Sequence, residues 1–184
     1  MAKTVAVMLG QGFEPLEVVA PVDALRRGGV EATLVSVMDS KEVKSAQDIT
    51  MRADVMLDDI NLMDFDMIMV PGGSEGVENL KKSPLLMEAL KSFMAEGRPV
   101  SSICAGPTVL AAADVLEGHK ATCYPGCEAV FPAGVYVKQP VVEDGNLITS
   151  EGPGTALRFG IAVLESIMGK QVADEVAAGM LVNE

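Results

Sequence analysis

Four short stretches of the chain have the apolar pattern of strands that are buried on both faces of a sheet. They cover residues 4–9, 32–37, 67–70 and 100–103. Gly10 and Gly12 break the chain after the first stretch, and Pro71 begins the break after the third. The pattern therefore predicts four core strands that are separated by connecting segments.

Helices are predicted between these strands from the residues at their ends. The first helix begins at Pro15, which suits a first turn because its missing N–H would have no partner there. It ends with Arg26 and Arg27 before glycine, and it carries Leu16, Val19, Ala20 and Leu25 at helical spacing. A second helix is predicted over 83–96, with a serine N-cap and a proline at its first position.

The remaining segments complete a layered fold. Residues 42–54 are predicted as an exposed pair of short strands, and Asp144-Gly145 marks a hairpin turn. Closing helices are predicted over 154–168 and 172–181. Because strands alternate with helices, we expect an α/β fold, a flavodoxin-like three-layer sandwich with a mainly parallel central sheet. Residues 1–184 are expected to form a single domain.

Composition excludes several classes of protein. Apolar residues make up 49% of the 184 residues, which excludes a disordered chain. The chain has no apolar run of the roughly 18 to 20 residues that a membrane span needs, and its start does not resemble a signal peptide. We therefore expect a cytoplasmic protein. The formal net charge of −12 disfavours nucleic acid and anionic membranes as partners.

The three cysteines do not predict a disulfide framework, because their number is odd and the expected compartment is reducing. Cys123 and Cys127 are spaced C-x3-C, with the one histidine, His119, upstream. A zinc site would need about four such ligands. The chain also lacks a G-x-G-x-x-G turn between a strand and a helix. We expect neither a metal nor an organic cofactor.

Cys104 lies where the fourth strand would pass into a helix. Amides at the start of a helix stabilise a thiolate, so this position predicts a reactive cysteine with a lowered thiol pKa. A nucleophile elbow has glycine two residues before and two after the nucleophile. Here the sequence is S-I-C-A-G, with Ser102 in the first of these places. The alternative interpretation is a buried cysteine that packs as a small apolar residue.

Two further strand ends would lie near Cys104, because ligands bind beyond the carboxyl ends of parallel strands. The amides of Gly72 and Gly73, together with that of Ala105, could form an oxyanion hole, although an ordinary loop has the same pattern. Glu17 could serve as the proton-transfer partner of a thiol. Its position alone does not distinguish it from the other acidic residues nearby.

Several stretches together resemble the DJ-1/ThiJ/PfpI family, in its bacterial branch close to the DJ-1 proteins. They are GFEPLEVVAPVDALRRGGV, VPGGSEGVENL, SSICAGPTVLAAADVL, ATCYPG and ITSEGPGTALRFGIAVLE, and they occur in family order over residues 4–181. The resemblance implies a homodimer with Cys104 as the oxidisable cysteine and Glu17 as a protonated acid that hydrogen-bonds it. It also implies that the amides of Gly73 and Ala105 lie near the sulfur or a bound oxyanion.

Two positions depart from the family pattern. Tyr124 stands where well-known members have a histidine, so the sequence offers no obvious Cys–His dyad for peptide hydrolysis. Gln47 stands where some members have an arginine. We predict that Tyr124, together with Gly72, Gly73 and Ala105, binds the substrate or its oxyanion.

The family resemblance implies two different functions. One is a cofactor-independent enzyme that converts reactive dicarbonyls such as methylglyoxal, or repairs early glycation adducts. Its substrate would be a small aldehyde or a glycated molecule. The other is a redox-sensing or chaperone-like protein in which Cys104 is oxidised to sulfinic acid without turnover.

Overall fold

The computed structural model describes residues 2–182, and within them the strands form one large sheet and one small one. The strands are β1 (Thr4–Leu9), β2 (Glu31–Ser36), β3 (Glu42–Lys44), β4 (Thr50–Arg52), β5 (Val55–Met56), β6 (Met67–Val70), β7 (Val100–Ile103), β8 (Val141–Asp144) and β9 (Leu147–Ser150). The large sheet has the order β5-β2-β1-β6-β7-β9-β8. All its neighbours are parallel except β8 and β9, which form the antiparallel hairpin predicted at Asp144-Gly145.

Helices flank this sheet, so the structure is the mainly parallel α/β sandwich that the sequence predicts. They are α1 (Pro15–Arg27), α2 (Ser74–Lys81), α3 (Pro84–Ala95), α4 (Pro107–Ala112), α5 (Ala156–Met168) and α6 (Lys170–Gly179). Helices α1, α5 and α6 pack against one another, and α2 packs against α3 and α4. Every residue of β6 and β7 is buried between these layers.

Several boundaries differ from the prediction. Strand β5 and helix α2 were not predicted, because a two-residue strand and a helix that follows two glycines lack a clear periodic signal. The last helix begins at Lys170 and ends at Gly179, slightly earlier than predicted. The exposed strand pair is present, but it is shorter than 42–54.

The apolar residues that were predicted at helical spacing on α1 are not all on the buried face of the helix. Val18, Val22 and Leu25 are buried, whereas Leu16 is 57% exposed and Val19 is 51% exposed. Helix α1 therefore packs one apolar face against α5 and leaves a second apolar strip uncovered in the single chain.

The sheet topology brings the loops that follow β1, β6 and β7 to one edge, because these strands are parallel neighbours. The chain continues from β1 to β2 on one side and reaches β6 on the other side of β1, so the direction of winding reverses between β1 and β6. Such a reversal leaves a crevice at the carboxyl ends of the strands. The β3–β4 hairpin is fastened beside this crevice, because Gly12 N donates to Lys44 O at 2.7 Å and Ala46 N donates to Phe13 O at 2.9 Å.

Candidate functional site

Cys104 forms a strained turn at the end of β7. Its φ of +63° lies in the left-handed region, which costs a non-glycine residue about 1–3 kcal/mol. The turn is supported on both sides, because its amide donates to Ser150 O and its carbonyl accepts from Tyr124 N, both at 2.9 Å. The backbone therefore holds the Cys104 side chain where β7 ends, as in a nucleophile elbow.

Ser102 and Gly106, which flank Cys104, explain how the sequence S-I-C-A-G forms an elbow without the first glycine of the motif. A Cβ at Gly106 would lie 2.4 Å from the carbonyl oxygen of Val70, so only glycine fits there. Ser102 is accommodated because it is buried and its hydroxyl donates to that same carbonyl at 3.0 Å. The serine that departs from the motif thus satisfies a buried acceptor of the neighbouring strand.

Glu17 lies beside Cys104 and is completely buried. Its Oε2 accepts a hydrogen bond of 2.8 Å from Gly72 N, while its Oε1 is buried without a hydrogen-bond partner among residues 2–182. Burial raises the pKa of Glu17 to about 7, although its contacts with the Cys104 thiol and the Gly72 amide lower it in part. A carboxyl with this pKa exchanges its proton readily at neutral pH.

The backbone amides of Ala105 and Gly73 lie close to the Cys104 sulfur and lower its pKa. Burial nevertheless raises the pKa of this thiol well above its usual range, and the negative charge of an ionised Glu17 raises it further. Because burial is the larger of these two causes and does not depend on the charge of Glu17, the prediction of a lowered thiol pKa is wrong. The helix that should lower it, α4, starts only at Pro107 and has six residues. The two groups are coupled, so a proton on one favours its loss from the other.

A cavity of about 340 Å³ opens onto the Cys104 turn. Its lining residues are Glu14, Ala46, Gln47, Gly73, Ser74, Cys104, Ala105, Tyr124, Cys127 and Pro153. Four of the six predicted site residues, Cys104, Gly73, Ala105 and Tyr124, therefore line one cavity. Glu17 and Gly72 lie outside this lining and contact each other beside Cys104.

The profile of the DJ-1/PfpI family matches residues 3–166 of the chain. The chain belongs to the DJ-1/PfpI family. It is 36% identical to the Parkinson disease protein 7 homolog of Danio rerio, over 99% of this chain and 98% of that protein. It is 34% identical to the glutathione-independent glyoxalase DJR-1.2 of Caenorhabditis elegans, over 86% of this chain and 84% of that protein. The structure of oxidised Toxoplasma gondii DJ-1 superimposes with a TM-score of 0.96 at 32% identity and covers all of both chains.

In this member of the DJ-1/PfpI family, several residues lie at the cavity rim in positions that the sequence did not predict. Gln47 Nε2 donates to Glu14 Oε2 at 3.0 Å, which joins the β3–β4 hairpin to the N-cap of α1. Nothing in the sequence indicates this pairing of Glu14 with Gln47. Cys127 was considered only as a zinc ligand, although its spacing from Tyr124 places it one turn along the same loop.

The residues considered for a metal do not assemble in this DJ-1/PfpI protein. His119 lies outside the cavity lining, and its Nδ1 is 3.2 Å from Asp144 Oδ2 at the end of β8. Among residues 2–182 there is no group of three or more His, Cys, Asp or Glu side chains that could hold a metal ion. Within the same range, no helix is both long and apolar enough to cross a membrane.

Proposed function

We propose that the protein is a cofactor-independent, cysteine-dependent enzyme that acts on reactive dicarbonyls such as methylglyoxal or on their early glycation adducts. The observation that carries the proposal is the buried Glu17 carboxyl, with a pKa near 7, against a thiol at an open cavity. A relative that is named a glutathione-independent glyoxalase supports it. The proposal includes a cytoplasmic location and a homodimer, both of which rest on the sequence.

The first step is attack of the Cys104 sulfur on the aldehyde carbon of methylglyoxal. An ionised Glu17 accepts the thiol proton as the C–S bond forms, which overcomes the raised thiol pKa. The aldehyde oxygen gains negative charge, and we assign its stabilisation to the amides of Gly73 and Ala105, which lie close to the Cys104 sulfur. Glu17 then gives the proton to that oxygen, which yields a neutral hemithioacetal.

The second step moves hydrogen between the two adjacent carbons. The ionised Glu17 removes the proton from the former aldehyde carbon, which gives an enediolate, and it then protonates the neighbouring carbon. The hydroxyl proton on the first carbon passes to the oxygen on the second as the thioester carbonyl forms. The product is a thioester of lactate on Cys104. Water hydrolyses that thioester and releases lactate and the free thiol, so methylglyoxal and one water are consumed. One carboxyl can serve every transfer because its pKa lies near neutral pH.

Redox sensing is the second candidate, and one observation favours it. A protonated Glu17 beside Cys104 could donate a hydrogen bond to a sulfinic acid oxygen and stabilise that oxidised form. The same two residues would then act without turnover.

The experiment that tests the enzyme proposal measures lactate formed from methylglyoxal by purified protein without glutathione. We expect turnover by the wild type and its loss in Cys104→Ser. Cys123→Ala is the matched control, because Cys123 is fully buried and lies outside the cavity lining. Lactate formation at the same rate in Cys104→Ser would refute the proposal, and an inactive wild type would favour redox sensing.

A further inference from the structure

Two of the three cysteines line the same cavity. We propose that Cys127 is a resolving thiol, which captures peroxide-oxidised Cys104 as an intramolecular Cys104–Cys127 disulfide. The site would then be a reversible dithiol that responds to hydroperoxides. This inference concerns the oxidation of Cys104, and the disulfide would form whether or not the protein converts dicarbonyls.

The backbone connects the two cysteines through Tyr124. The Cys104 carbonyl accepts from Tyr124 N, and the Tyr124 carbonyl accepts from Cys127 N, each at 2.9 Å. Cys127 is therefore one turn beyond the residue that is bonded directly to the elbow. Both cysteines belong to the lining of the same 340 Å³ cavity.

Cys123 is less suited to this role. It is completely buried and lies outside the cavity lining, whereas Cys127 is partly exposed and belongs to it. Burial raises the pKa of Cys123 to about 12, which keeps it protonated. Burial and Glu128 also raise the pKa of Cys127, but Lys81 opposes that rise. Access to the cavity therefore favours Cys127 over Cys123 as the attacking thiol.

The loop that carries Cys127 is placed to adjust when the bond closes. A disulfide requires a Cα separation of about 4.4–6.8 Å and a defined torsion angle. Residues 124–126 are exposed, as are residues 129 and 130, whereas Cys127 between them packs partly against the core. Gly126 has a φ of +95°, a conformation that glycine adopts without strain.

The proposed reaction balances with a hydroperoxide as the oxidant. Cys104 attacks the peroxide, the O–O bond breaks, and Cys104 becomes a sulfenic acid while an alcohol or water leaves. The Cys127 thiolate then attacks the Cys104 sulfur, so that an S–S bond forms and the S–O bond breaks. Hydroxide leaves and takes up a proton to give water. Two thiols lose two electrons in all, and a dithiol reductant restores them.

The test is non-reducing peptide mapping after treatment with one equivalent of hydrogen peroxide. Trypsin places Cys104 in the peptide 92–120 and both other cysteines in the peptide 121–138. We compare the wild type with Cys127→Ala, using Cys123→Ala as the matched control. We expect the two peptides to be linked within one chain in the wild type and in Cys123→Ala. In Cys127→Ala we expect loss of the link and a several-fold larger fraction of Cys104 sulfinic acid.

Three results would overturn the proposal. One is a wild type in which Cys104 gains oxygen while the peptides stay unlinked. Another is a link that persists in Cys127→Ala and disappears in Cys123→Ala. The third is a link found only between two chains, which non-reducing electrophoresis detects. Lactate formation is measured on the same samples, so failure of the enzyme proposal and failure of this one are separate results.

Discussion

The amide of Gly72 donates a hydrogen bond of 2.8 Å to Oε2 of Glu17, which fastens the loop after β6 to helix α1. A Cβ at Gly72 would lie 2.6 Å from that same oxygen and 2.7 Å from Cys104 Cβ. Position 72 must therefore be glycine, because the contact uses its backbone amide and leaves no room for a side chain. It fixes one oxygen of a buried carboxyl and leaves the other without a partner among residues 2–182.

Gly72→Ala should displace Glu17 and Cys104 from each other. The added methyl group would also crowd the Ala105 amide at 2.9 Å, so the neighbours must move. We expect a loss of about 1–3 kcal/mol in the free energy of unfolding, the usual cost of overpacking, together with a large fall in lactate formation. Urea unfolding and the turnover assay measure the two effects.

Gly179→Ala is the matched control for Gly72→Ala. Gly179 belongs to α6, and a Cβ there would meet no atom of the described residues within 4 Å. Alanine in a helix should leave stability unchanged or raise it by up to about 1 kcal/mol. If Gly72→Ala were as stable and as active as this control, the close packing around Glu17 would not matter.

The stability of the protein should fall as the pH rises through the range in which Glu17 loses its proton. Burial raises the pKa of Glu17 from 4.5 to about 7 in the folded state, so the folded protein holds a proton that the unfolded chain has released. This contribution is complete below about pH 4.5 and is lost above about pH 7. The two pKa values correspond to about 3 kcal/mol.

Urea unfolding of wild type and Glu17→Gln at about pH 5 and about pH 8 measures this contribution. Because the glutamine variant cannot titrate at this position, we expect the wild type to lose about 2.5 kcal/mol more than the variant between the two values. An equal loss in both proteins would show that Glu17 has an ordinary pKa in the folded state.

The core of the fold and the position of Cys104 at the end of a buried strand could both be predicted from the sequence. Buried strands such as Val100–Ile103 have a strong apolar signal, and Cys104 follows one of them directly. Family resemblance selected Glu17 from the acidic residues, which physical reasoning alone did not achieve. The structure then places Glu17 against Cys104, as that resemblance implies.

Features that depend on burial or on distant pairing could not be predicted from the sequence. The Gln47–Glu14 bond joins positions 33 residues apart, and no local pattern encodes it. The raised pKa of the Cys104 thiol arises from desolvation and from the charge of Glu17, which sequence spacing does not measure. The exposed strip on α1 could not be predicted, because the buried face and the exposed face of this helix both carry apolar residues.

Glu17→Gln and Glu17→Leu should separate hydrogen bonding from proton transfer. Glutamine keeps an N–H donor beside the Cys104 sulfur but cannot carry a proton between carbons, so we expect lactate formation to be abolished. Leucine removes the donor as well. The Cys104 thiol pKa should therefore be lower in Glu17→Gln than in Glu17→Leu, because only glutamine can donate to the thiolate.

Thiolate absorbance against pH measures the Cys104 pKa, and the background from the other cysteines is recorded in Cys104→Ser. Lactate formation is followed in the same variants. Turnover of methylglyoxal by Glu17→Gln at the wild-type rate would remove Glu17 from the mechanism. An equal thiol pKa in the two variants would show that the hydrogen bond to sulfur does not stabilise the thiolate.

The last prediction is that the exposed strip on α1 forms the centre of a homodimer interface. Leu16 and Val19 are more than half exposed in the single chain, and closed two-fold dimers are the commonest oligomers. Light scattering at low micromolar concentration should give twice the chain mass of 19.3 kDa.

Leu16→Asp should shift the protein toward the monomer, because a charge would be buried in the interface. Leu85→Asp, at a 54% exposed leucine on α3, should leave the dimer unchanged. A monomeric wild type would contradict the dimer, and an equal effect of both substitutions would place the interface elsewhere.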